Sequence, residues 1–77
     1  MVEIEKMAQE FDEVFQQFEE TKRKNEFHEA ADMKAYLLGL TKGMTITLDS
    51  NARKYEQSDR RMVDSRISKL NLIDNGN

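Results

Sequence analysis

Apolar residues recur along the first third of the chain at Ile4, Met7, Ala8, Phe11, Val14, Phe15 and Phe18. With Ile4 as position a of a heptad, they fill a, d and e through two heptads and then a again. That is the broad stripe of a helix facing a core, wider than the a/d seam of a two-stranded coiled coil. The a and d positions of the following heptad hold Asn25 and His28, so the stripe stops. A first helix over about residues 2–24 is therefore predicted. Acids crowd its start and Lys22-Arg23-Lys24 crowds its end, as the helix dipole favours. Asn25 suits a left-handed C-cap, the role asparagine takes where glycine is missing.

A second helix, over about 26–56, carries Phe27, Ala30, Ala31, Met33, Leu37, Leu38, Leu40 and Met44 on more than one face, so it needs two neighbours. It also holds a row of small residues at a spacing of four: Ala31, Ala35, Gly39, Gly43 and Thr47. Residues four apart are neighbours on a helix surface, so the row predicts a shallow stripe. Two glycines inside a helix cost about 1 kcal/mol each relative to alanine, a loss recovered where another helix approaches closely. The row is read as a helix-packing or oligomer interface. A crossing of two copies is favoured, because the phenylalanine-rich first helix fits less naturally against so small a stripe.

Two stretches read in more than one way. Met44-Thr45-Ile46-Thr47-Leu48 alternates apolar and polar, a strand signal that would require pairing with a second copy. Continued helix is preferred, since Ala52 and Tyr55 extend the helical period. Ser58-Asp59 offers an N-cap for a third helix over about 59–70, through Met62, Val63, Ile67 and Leu70; a break of helix two at Asp49-Ser50-Asn51 is the other reading. The polar tail 71–77, ending Asn-Gly-Asn, is expected to be disordered. The stretch from Lys24 to Ala31 resembles the tight inter-helix turn of tetratricopeptide-type hairpins. That likeness spans a single copy and implies only the turn; a continuous bent helix is the alternative.

The chain has 77 residues, no cysteine, no proline and 35% charged residues. Such a length makes one domain, buries only roughly 60% of its unfolded surface, and has neither disulfide nor thiolate metal site to staple it. Well-packed helices or oligomerisation are the remaining routes to stability. The expected fold is all-α: a single domain over residues 1–70, built as a helical hairpin of two long antiparallel helices plus a short C-terminal helix, assembled as a homo-oligomer. No apolar run approaches the ~18 residues of a membrane span, and the N-terminus lacks the apolar core of a signal peptide. A cytoplasmic protein without membrane contact is expected.

Charge is unevenly spread within a net −3: residues 1–20 hold seven acids against Lys6, and residues 51–70 hold six bases against three acids. The acidic helix could imitate nucleic acid, and the basic segment could contact phosphate, but each suits the other across a hairpin or subunit boundary. Appreciable binding to duplex DNA is not expected. A small anionic ligand such as a nucleotide would draw on Arg53, Lys54, Arg60 and Arg61 for charge and on Tyr55 for an aromatic face. His28 is the only histidine, with Glu29 and Asp32 nearby, which is a poor zinc set. No catalytic, cofactor-binding or metal residues are assigned, no cofactor is expected and enzyme activity is not expected. The expected function is stoichiometric binding of a protein partner, as an adaptor or inhibitor. In size and style, though in no motif, the chain looks like the small accessory proteins carried by bacteriophages and prophages.

Overall fold

The apolar stripe of the first segment becomes one wall of a core shared by three helices. In a computed structural model, residues 2–75 are described, with side chains from Ile4 to Ile73. The elements are α1 (Val2–Arg23), α2 (Phe27–Ser50) and α3 (Gln57–Asn75), and no strand occurs among the described residues. The directions of the helices follow from which residues meet. Thr21 reaches Met33, Tyr36 reaches Glu10, and the face of Gly43 meets Met7, so α1 and α2 run antiparallel. Asp12 binds Arg66 and Phe15 lies under Lys69, so α3 runs parallel to α1 at a constant offset.

Ile4, Ala8, Phe11 and Phe18 of α1 close on Ala30, Leu37, Met44 and Leu48 of α2, with Val63 and Leu70 from α3. The three phenylalanines Phe11, Phe15 and Phe18 form a ladder, with ring centroids 5.6 and 6.1 Å apart. The buried threonines bring their own solution for the hydroxyl: Thr21 donates to the Gln17 carbonyl at 2.7 Å and Thr41 to that of Leu38 at 2.9 Å. Such bonds back to the preceding turn let a polar side chain sit in an apolar helix face.

The first turn is a Schellman motif. Asn25 takes a positive φ of 63°, the Asn25 N–H donates to Lys22 O at 3.0 Å, and the Glu26 N–H donates to Thr21 O at 3.1 Å. The hairpin expectation and the left-handed role of Asn25 therefore hold, and the continuous bent helix does not. The segment Met44–Leu48 is helical. Met44 and Leu48 are buried, while Ile46 between them is 56% exposed, the reverse of a strand with all three on one face. Thr45 and Thr47 donate to the carbonyls of Thr41 and Gly43.

Three expected boundaries need correction. Helix two ends at Ser50, not near 56: both the backbone N–H and the side-chain amide of Asn51 donate to Thr47 O at 3.2 Å, which closes the helix. Tyr55 imitates helical period because it packs onto the core from the turn. Helix three starts two residues early, and Asp59 acts from within its first turn, where its carboxylate accepts from the Glu56 N–H at 2.9 Å. It also runs on to Asn75, so 71–75 is not a disordered tail; residues 76 and 77 lie outside the described residues. Ile73 supplies the reason, extending the row of Val63, Ile67 and Leu70 by one more apolar contact with the core.

Candidate binding surfaces

The small-residue row does not keep to one face. Four residues advance about 40° beyond a full turn of a 3.6-residue helix, so five positions wind through about 160°. Ala31, Ala35 and Gly39 accordingly face solvent, while Gly43 and Thr47 turn toward the interior. A Cβ on Gly39 would meet nothing within 4 Å, whereas one on Gly43 would stand 3.2 Å from Met7 Cε. Within one chain, therefore, only the Gly43 end of the row receives a neighbour. The outer face of α2 carries Phe27 (63% exposed), Leu38 (46%) and Ile46 (56%) around these small residues. These three are spread along the length of α2, Phe27 beside the hollow shared with Phe18 and Ile73 and Ile46 near the face of Gly39.

A second surface arises where α3 leans on α1. The parallel pair leaves a trench of about 560 Å³ lined by Phe15, Leu72 and Ile73, with Asp12, Gln16, Glu19, Lys22 and Lys69 along its edges. Lys22 Nζ lies 5.7 Å from the Phe18 ring centroid and Lys69 Nζ lies 5.3 Å from that of Phe15. Each ammonium group thus stands over the face of an aromatic ring, a cation–π arrangement. Asp12 is already engaged, since Arg66 Nη2 donates to its Oδ2 at 2.7 Å. The same guanidinium donates from Nη1 to Met62 O at 2.9 Å. Lys22 and Ile73 also border a neighbouring hollow with Phe18, Phe27, Ala30 and Ala31, so the trench leads toward the outer face of α2.

The basic segment is divided by the fold. Arg53 and Lys54 line a hollow of about 400 Å³ on the turn between α2 and α3, together with Asp49. Tyr55, Arg60 and Arg61 are not on that lining. Tyr55 is packed against the core, and Arg60 Nη1 stands 3.7 Å from Asp49 Oδ1. His28 is exposed, and no group of three or more His, Cys, Asp or Glu among the described residues has metal-binding geometry. On the acidic helix, Glu10 accepts a hydrogen bond from the Tyr36 hydroxyl. That bond, with partial desolvation and the carboxylate charge, raises the pKa of Tyr36 above its ordinary value.

Sequence reasoning placed Leu72 and Ile73 in a disordered tail, read Lys22 only as part of the basic end of the first helix, and gave Lys69 no part in a site. The spacing of Ile73 three positions after Leu70 was the available signal. No helix among the described residues is long and apolar enough to cross a membrane. No known protein family, no curated protein and no solved structure matches this chain.

Proposed function

We propose that this chain is a non-enzymatic helical binding protein that acts by stoichiometric contact with a protein partner, as an adaptor or inhibitor. Two copies associate through the outer face of α2. The observation that carries this reading is the open space over Gly39, with the exposed side chain of Ile46 two turns further along the same face. A helix that keeps a glycine at an uncrowded interior position gives up stability for nothing within the single chain. A second helix lying across the same place would use the missing side chain. Charge agrees with a two-fold antiparallel crossing level with Leu37, which sets exposed Asp32 of one copy opposite exposed Lys42 of the other.

Sedimentation velocity over a wide concentration range tests the association. The wild-type mass rises to that of a dimer, and Gly39→Leu or Leu38→Glu returns it to a monomer with helicity intact. A monomeric wild type throughout the range removes the self-association. Partner contact is tested separately by retention of a lysate protein at low salt and fixed stoichiometry.

A further inference from the structure

Beyond contact through α2, we infer that the trench between α1 and the C-terminal half of α3 receives an acidic amphipathic helix from the partner protein. This rests on the reading of the chain as a protein-binding module and names the chemistry of what it binds. Its apolar lining is Phe15, Ile73 and Leu72, the last 71% exposed. An open trench of about 560 Å³ leaves a small molecule half in water, whereas a helix laid along it covers the floor with one face.

Charge selects which helix. The chain as a whole carries −3, yet the trench and the hollow that continues it along α1 are bordered by Lys22, Arg23 and Lys69. Against these stand Glu19 and Asp12, and the charge of Asp12 is already answered by Arg66. A basic rim on an otherwise acidic protein attracts carboxylates and disfavours a lysine-flanked helix of the same shape. Lys22 and Lys69 rest over the Phe18 and Phe15 rings in the absence of a partner. In the complex their ammonium groups turn to the acidic flank of the incoming helix, and the partner's apolar side chains take their place over the rings.

Two synthetic helices test this, sharing one leucine face at i, i+3, i+4 and i+7 and carrying either glutamate or lysine on the flanks. Fluorescence anisotropy follows each against the full chain, and amide chemical shifts locate the contact. The glutamate helix binds saturably, at least tenfold tighter than the lysine helix, and shifts Phe15, Lys22, Lys69 and Leu72. The variant Lys22→Glu/Lys69→Glu, whose two side chains lie at the rim and leave the core untouched, inverts the preference. Equal affinity for the two helices, no saturable binding, or shifts confined to Phe27, Leu38 and Ile46 overturns the inference. Dodecanoate serves as the probe for a lipid-like occupant: if it displaces nothing the helix assignment stands, and if it alone binds the trench the assignment fails. Self-association through α2 is read independently, so either proposal can fail without the other.

Discussion

Tyr36 and Glu10 join α2 to α1 on the solvent side, where neither residue contributes to the core. A phenol whose hydroxyl donates to a carboxylate holds its proton longer, because ionising it both breaks the bond and sets two negative charges together. With the folded pKa raised above the unfolded value of about 10, the contact supports folding below that pH and is lost as pH rises through the folded value. Ultraviolet titration of the phenolate in wild type and Glu10→Gln shows it: one tyrosine titrates at lower pH in the variant. Identical curves would mean that the bond does not form in solution. Gly39 makes a second prediction at this scale. Nothing meets a Cβ there, so Gly39→Ala raises the stability of the monomeric chain by about 0.5–1 kcal/mol in urea unfolding. The same change at Gly43 gains less, since its Cβ presses on the flexible tip of Met7.

Among the elements, the α1–α2 turn depends on one residue out of its usual conformational range. Left-handed φ costs an ordinary L-residue about 1–2 kcal/mol and glycine almost nothing. Asn25→Gly therefore raises the thermal midpoint, and Asn25→Ala lowers it by about 1 kcal/mol of stability. Equal midpoints for the two variants would show that Asn25 is not left-handed in solution. This turn was legible in the sequence, because the apolar stripe runs out where an αL-tolerant residue begins. The whole of α1 and the helicity of α2 were legible for a kindred reason, since each repeats at helical period, but which of α2's leucines enters the core was not. The end of α2 was legible only as the second reading, a break at Asp49-Ser50-Asn51. Tyr55 falls in phase with Leu48 and Ala52, and period alone does not distinguish a helical residue from a turn residue that happens to reach the core. The small-residue row was found by its spacing, but a spacing of four describes a winding line, and only geometry shows which part stays outside. The trench escaped notice because its walls come from residues about fifty positions apart, and no local pattern records that pairing.

Across the whole molecule, a chain of this size has little stability in reserve, about 4–12 kcal/mol at ordinary values per residue. Phe11 is fully buried at one end of the aromatic ladder. Phe11→Ala removes about 3–5 kcal/mol, a large part of the total, and circular dichroism should show a strongly lowered midpoint or a largely unfolded chain at 37 °C. A loss under 1 kcal/mol would show that the core is not closed around this ring.

The parallel course of α3 beside α1 also has a bearing on how the chain assembles and comes apart. The hairpin of α1 and α2 closes through a turn of three residues, and these two helices share the most extensive contact. Residues such as Asp12 and Arg66 meet only after the whole of α2 has been traversed, and that wider loop must be closed at greater entropic cost. On that ground the hairpin is expected to form first, with α3 docking onto it afterwards. Native-state hydrogen exchange should find the amides of α3 opening as a unit at lower free energy than those around Phe11 and Leu37. Uniform protection across all three helices would instead make the chain a single cooperative unit, with α3 as indispensable to the hairpin as the hairpin is to α3.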